Sequence, residues 1–353
     1  MKRNKMKWNK NLICGLLGVA CTLSLAACSQ NTTTGTTETT ATAETTESTS
    51  DSAAAQATRT QYPLTLDIYD ADGNKVSMTY DAAPERVVST QLSMTELLIK
   101  LNLTDKIVGV FDNDNALEGE TADIIAGLPS LGDKKSVSKE AILAAEPDIV
   151  LGKGPLMFAD TSIGTVETYQ QLGVGVYTEL ASAAQEQSLE NIITDVENIG
   201  KIFDVQDAAQ EYADELQDRY DAVKTSVGTT SGEPLKVLFM AGYQDGTFAA
   251  FQSGMSSAML KVLNAENVLD KGGNGLTLEN LVAMNPDCIV YVRADRFAST
   301  DGTALDALKS SEVVADVPAI ANDKIIEMAY DDVMDYGARI FDAIETLNAF
   351  LYK

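Results

Sequence analysis

A thirteen-residue pattern occurs twice in this chain of 353 residues. The first copy runs from Ser138 through Glu140 and Pro147-Asp148 to Val150. The second runs from Thr277 through Glu279 and Pro286-Asp287 to Ile289. Each copy opens on a Ser/Thr helix cap and places a glutamate two residues later. Each continues with an apolar helix face and then uses Pro-Asp to leave the helix and enter an apolar strand. The copies start 139 residues apart. A repeated helix-to-strand step at that distance calls for two similarly wired lobes, each with an equivalent helix.

The surrounding pattern agrees. Arg86–Thr90, Ile107–Val110, Asp148–Leu151 and Val174–Thr178 read as short apolar strands. Helices at Ser93–Leu101, Ser138–Ala145 and Gly164–Leu172 alternate with them. Such alternation is that of an α/β lobe whose parallel sheet is covered on both faces. Apolar stripes then run through Leu189–Phe203 and Ala208–Val223 at helical spacing. Beyond Pro234 the alternation resumes, with strands at Lys236–Met240, Thr247–Phe251, Cys288–Val292 and Lys324–Met328. Helices are expected at Ser256–Leu263, Leu278–Met284, Leu305–Leu308 and Asp335–Tyr352. The expected domains are an N-terminal α/β lobe at 62–186, a helical connection at 187–228 and a C-terminal α/β lobe at 229–353. Leu64–Tyr69 and Val76–Tyr80 flank Asp72-Gly73-Asn74 as a hairpin. The same turn superficially suggests a calcium loop, but Lys75 and Asp81 occupy the positions where an EF-hand needs glycine and glutamate.

Before residue 62 the chain has another character. Residues 1–10 are basic and 11–27 are apolar with small residues at the end, which is the layout of a secretory signal. Leu25-Ala26-Ala27-Cys28 resembles a bacterial lipobox, so Cys28 is the expected lipid anchor. The segment 28–61 begins with that cysteine. Residues 29–60 hold 13 threonines and 4 serines, too polar to bury a core, and read as a flexible tether. Cys14 and Cys21 depart with the signal. Cys288 remains inside an apolar run as a small hydrophobe.

Charge and composition exclude much. The chain carries 52 acidic and 26 basic residues, a formal charge of −26, and no histidine. Five of the basic residues lie in the first ten positions, so the mature chain is more acidic still. That balance repels phosphate backbones, and nucleic acid is not an expected partner. Without histidine there is no Ser-His-Asp triad and no HExxH zinc site. No Gly-x-Ser-x-Gly elbow, Walker loop or GxGxxG is present, so an enzyme is not expected. A bare zinc or manganese ion would lack its usual imidazole ligands.

Pro84-Glu85-Arg86-Val87-Val88-Ser89, Ser93-Met94-Thr95-Glu96-Leu97-Leu98 and Asp105-Lys106-Ile107-Val108-Gly109-Val110, followed by the E-x-I/L-x₄-P-D pattern in both lobes, resemble one known family. These are the solute-binding proteins that carry ferric siderophores, cobalamin and haem to ABC importers. The resemblance covers about residues 62–353. It implies an α/β fold of two Rossmann-like lobes with mostly parallel sheets, joined by a single long connecting helix near Asp207–Ser226. It implies a ligand held between the lobes beyond the strand ends. It also implies docking on a permease dimer, served by an ATPase, through one acidic residue per lobe, here Glu140 and Glu279. Candidate ligand contacts in the N-lobe are Gln91, Ser93, Met94, Lys153 and Met157. Those in the C-lobe are Tyr243, Phe251, Gln252, Arg293, Arg296 and Tyr330. The arginines suit an anionic chelate, or else they pair with surface acids. Asp112, Asp114, Asp331 and Asp332, if they face the cleft, favour a cationic ligand.

The expected protein is therefore a monomeric solute-binding lipoprotein without catalysis or cofactor, anchored at the extracytoplasmic membrane face. Its expected cargo is an iron chelate, first a ferric siderophore, with haem or a corrinoid as alternatives. An exported α/β protein with no transport role, or a surface adhesin on its stalk, is the remaining possibility.

Overall fold

The computed structural model describes residues 59–133, 138–228 and 232–352. The signal segment, Cys28 and nearly all of the tether lie outside these residues.

The first element is an antiparallel hairpin of β1 (Leu64–Tyr69) and β2 (Lys75–Tyr80). Its turn is closed by Asp70, whose Oδ1 accepts the amides of Asp72 and Asn74 at 2.9 and 2.8 Å. That use of the aspartate confirms the hairpin over the calcium loop. The Tyr80 hydroxyl donates to the Val176 carbonyl at 2.8 Å and fastens the hairpin to the N-lobe.

The N-lobe sheet contains β3 (Val87–Ser89), β4 (Ile107–Val110), β5 (Ile149–Gly152) and β6 (Gly175–Thr178). All its pairs are parallel, in the order β4-β3-β5-β6. Val87, Val88, Ile149, Val150 and Leu151 are fully buried. Continuous apolar runs are what strands covered on both faces require. The covering helices are α1 (Leu92–Lys100), α2 (Glu120–Ala126), α3 (Lys139–Ala144), α4 (Gly154–Met157), α5 (Val166–Gln171) and α6 (Leu180–Ala183).

Two helices form the connection. In α7 (Leu189–Ile202), Ile192, Val196 and Ile199 are buried at helical spacing. Helix α8 (Gln206–Val227) runs about 30 Å at 1.5 Å per residue. The two helices approach closely at Gly200, where an added Cβ would lie 2.3 Å from the Ala209 Cβ.

The C-lobe sheet is mostly parallel, as expected, with one strand reversed. Its strands are β7 (Leu235–Gln244), β8 (Thr247–Phe251), β9 (Ala265–Asn267), β10 (Gly273–Thr277), β11 (Cys288–Arg293) and β12 (Ile325–Ala329). β7, β11 and β12 are parallel, and β9 joins the start of β7 in parallel. β8 runs antiparallel to both its neighbours, β7 and β10. The cause is local. Asp245 and Gly246 both have positive φ, 50° and 81°, which makes a two-residue hairpin turn and sends β8 straight back along β7. β10 and β9 were not legible in the sequence, since Gly273-Asn274-Gly275 offers no alternation. The helices here are α9 (Gly254–Val262), α10 (Leu278–Met284), α11 (Ala298–Lys309), α12 (Pro318–Ala321), α13 (Tyr330–Val333) and α14 (Arg339–Tyr352). The closing helix starts at Arg339 rather than Asp335, because residues 335–337 instead make contacts with the N-lobe.

Candidate functional site

The repeated segment becomes two equivalent pieces of structure. Ser138 caps α3, its Oγ accepting the Ala141 amide at 3.2 Å. Thr277 caps α10 in a reciprocal box with Asn280. Each helix ends on a non-glycine residue with positive φ, Glu146 at 50° and Asn285 at 48°, followed by the proline. The aspartates then do the same task in both lobes. Asp148 accepts the amides of Glu85 and Arg86 at 2.7 and 3.0 Å, while its own amide donates to the Arg86 carbonyl. Asp287 accepts the Lys236 amide at 2.9 Å, and its amide donates to the Lys236 carbonyl. Each aspartate thus pins the entrance of one strand, β5 or β11, to the entrance of the first strand of its lobe.

Glu140 and Glu279 are the second residues of α3 and α10, and both are exposed. Glu140 is held below the usual carboxylate range by its own helix-turn amide and by Ser138. Glu279 is held there by Thr277 and its own amide. Both are therefore fixed negative charges at neutral pH. Each helix ends at the strand entrance that its aspartate pins, so its first turn lies away from that entrance, toward the edge where the strands end.

At that edge the lobes meet. Gln91 caps the start of α1 and is buried; its carbonyl accepts the Thr95 amide. The Ser93 amide donates to Asp335 Oδ2 at 2.8 Å, and its hydroxyl contacts Glu179 Oε1 and, at 3.5 Å, Asp335 Oδ1. Lys153 places Nζ 4.4 Å over the Tyr336 ring. Further along, the Asn115 amide donates to Asp331 Oδ2 at 2.8 Å, and the Asn115 side-chain amide donates to the Arg293 carbonyl at 3.0 Å. The Asp295 amide donates to the Asp114 carbonyl. Gln187 Oε1 accepts the Met255 amide at the start of α9, at 2.7 Å. Arg339 is gripped by Glu96 across the seam at 2.7 Å and by Asp332 at 2.9 Å.

The ligand candidates fall into groups against this seam. Ser93 and Lys153 lie on it, and Gln91 precedes Ser93 at the start of α1 with its carbonyl bonded within its own lobe. Phe251 and Tyr330 form an edge-to-face pair with centroids 6.1 Å apart at its C-lobe side. Gln252 sits beside them, its amide reaching Ser257 at 3.3 Å. Met94 and Met157 are buried in the core. Met94, with Ser93, lines a small cavity of about 20 Å³ against α7 and α8. Tyr243 is drawn into the C-lobe's own core with Leu238 and Tyr291. The Arg293 guanidinium binds Glu327 at 2.5 Å and the Asp301 carbonyl at 2.7 Å, which is the surface-acid pairing weighed against the anion role. Arg296 lies in the turn Asp295–Phe297, and its side chain is outside the described residues. Of the four aspartates, Asp331 joins the seam by its side chain and Asp114 by its carbonyl. Asp112 takes the Ser130 hydroxyl at 2.9 Å within its own lobe.

Sequence reasoning missed Glu179, Asp335, Tyr336 and Gln187. Glu179 directly follows β6, so the strand-end rule that selected Lys153 after β5 would have found it. Asp335 and Tyr336 were read as part of the last helix.

Two α/β lobes, a helical connection and a polar seam beyond the strand ends define a bilobal solute-binding architecture. Residues 87–331 match the family model described as periplasmic binding protein, and the chain belongs to that family. It is 25% identical over 305 residues to an uncharacterized ABC transporter substrate-binding lipoprotein, YvrC, of Bacillus subtilis, covering 86% of this chain and 89% of the relative. It is 25% identical over 304 residues to a cobalamin-binding protein of Halobacterium salinarum, with 84% and 77% covered. The solved structure described as an ABC-type Fe3+-hydroxamate transport system from Saccharomonospora viridis superposes with TM-score 0.66 at 21% identity, over 83% of this chain and all of that one. Family members are transport solute-binding proteins, not enzymes, and work with a permease and an ATPase. No helix among the described residues is long and apolar enough to cross a membrane.

Proposed function

We propose that this protein is a lipoprotein, anchored through Cys28 outside the cell membrane, that delivers a bulky metal chelate to an ABC permease. It acts as a monomer, and its expected cargo is a ferric siderophore. One observation carries the transport reading. Two exposed, permanently charged glutamates stand at equivalent helix starts, one per lobe, toward the edge where the lobes meet. A permease built from two like subunits can receive such a pair with one arginine each.

The seam refines the cargo. Asp331 joins it by its side chain, and Arg293 is engaged by acids of its own lobe. Such surroundings favour a neutral or cationic ferric hydroxamate over a tris-catecholate or haem, whose charges are negative. A corrinoid is the second reading, supported by the cobalamin-binding relative. The mature chain has no tryptophan, so quenching of tyrosine fluorescence reports binding. Titration with a ferric trihydroxamate, aquocobalamin, a ferric tris-catecholate and haem should give micromolar or tighter binding for one of the first two. No binding of any of the four would overturn the chelate reading.

A further inference from the structure

The seam contains a group of acids for which solute carriage gives no reason. Glu179 is fully buried at the end of β6, on the N-lobe. Asp335 is 5% exposed ahead of α14, on the C-lobe. Ser93, at the start of α1, stands between them. Its hydroxyl has a single hydrogen, yet both Glu179 Oε1 and Asp335 Oδ1 are placed against it. With both carboxyls ionised, one of those contacts would be oxygen against oxygen with no hydrogen between. A proton on either carboxyl supplies the missing donor. Glu179 Oε2 is buried and has no hydrogen-bond partner among the described residues. A fully charged carboxylate left in that condition would be costly, whereas a neutral carboxyl tolerates it far better. The lobes are also in direct contact here, since a Cβ added to Gly337 would lie 2.6 Å from the Ser93 Cβ. Separation by a water's width is enough to hydrate both acids.

We propose that Glu179, Ser93 and Asp335 form a proton-dependent latch, which holds the two lobes together while one proton is shared and releases them when it is lost. The latch acts on lobe closure, whatever the cargo.

Other charged and titratable groups face the latch from each packed element, Tyr336 beside Asp335 among them. From α7 comes Asp195, buried and already bound by the Tyr177 hydroxyl and the amides of Leu180 and Ala181. From the β5 end comes Lys153, a nearby cation whose Nζ rests over Tyr336. From α1 and α14 come Glu96 and Arg339, joined to each other and to Asp332. Burial pushes Glu179 well above the ordinary carboxylate range; Asp335 and Asp195 push it the same way, against the Ser93 bond and Lys153. In the separated state Glu179 is hydrated and returns toward its ordinary value. The closed form therefore binds the proton more tightly. Its advantage is complete below the ordinary carboxylate range and is lost as pH rises through the closed-state value.

The test measures lobe separation directly in the full chain. Nitroxides introduced through p-acetylphenylalanine at the exposed positions 123 and 306 report one distance across the lobes by pulsed electron resonance. The expected result is a short distance at pH 5 and, by pH 8.5, a second longer population, with the closed-to-open ratio falling about tenfold. Glu179→Gln, which keeps a neutral donor in place, should hold the short distance at both pH values. Asp335→Asn should do the same and serves if the first variant fails to fold. A wild-type distance that ignores pH overturns the latch, and so does a variant that responds as the wild type does.

Discussion

Single residues divide sharply between those that build the lobes and those that stand exposed on them. The repeat contains both kinds a few positions apart. Asp148 and Asp287 are structural, because each pins one strand entrance to the next. Asp148→Ala should lower stability by about 1–2 kcal/mol, the usual loss for hydrogen bonds to a charged group at a partly exposed site. Urea unfolding would measure it, and transport per folded molecule should be unchanged. Among the described residues, Glu140 and Glu279 make no contact that the fold needs beyond their own helix turns. The double variant Glu140→Ala/Glu279→Ala should keep its melting temperature and ligand affinity while uptake falls at least about tenfold, read with radiolabelled chelate in whole cells. Loss of ligand affinity in that variant would remove the docking assignment.

At the scale of elements, close approaches set the geometry. Helices α7 and α8 meet with a glycine against an alanine, at Gly200 and Ala209, and no larger side chain fits between them. Gly200→Ala should force the pair apart and cost about 1–3 kcal/mol, the ordinary penalty for overpacking, despite alanine's better helix propensity. A falling midpoint in chemical unfolding checks the sign; a rise would mean that the helices yield. Most elements were legible because their signals are local. Ile107–Val110, Thr247–Phe251 and Leu278–Met284 have the bounds expected of them, each framed by turn residues or a cap. β9 and β10 were not, since their strand state comes from pairing with β7 and β8 rather than from any pattern of their own.

For the molecule as a whole, acidity decides how it responds to solvent. Burial raises Asp195 to about 7 despite three hydrogen bonds, and burial also raises Glu179. Both bind protons more tightly folded than unfolded. Stability is therefore greatest below the ordinary carboxylate pKa and is lost as pH rises through the folded values. The general excess of negative charge acts in the same direction. Thermal melting should give a midpoint several degrees higher at pH 5 than at pH 8, with the gap narrowed by 0.5 M salt, which screens the diffuse repulsion but not the buried acids. A midpoint that climbs with pH would contradict this reading.

The sequence by itself determined the two-lobe wiring, the linking helices and the paired glutamates, because caps, periodicity and a duplicated motif act over a few residues. It also marked Ser93 and Lys153 as strand-end residues. Only the tertiary structure decided what those residues meet. Glu179 and Asp335 are 156 positions apart, and nothing in either neighbourhood foretells the other. Arg293 looked like a free cation until Glu327 and Asp301 came beside it. Contacts between lobes depend on how two rigid bodies are set against each other, and that setting is carried by packing along α7, α8 and α14 rather than by any local pattern.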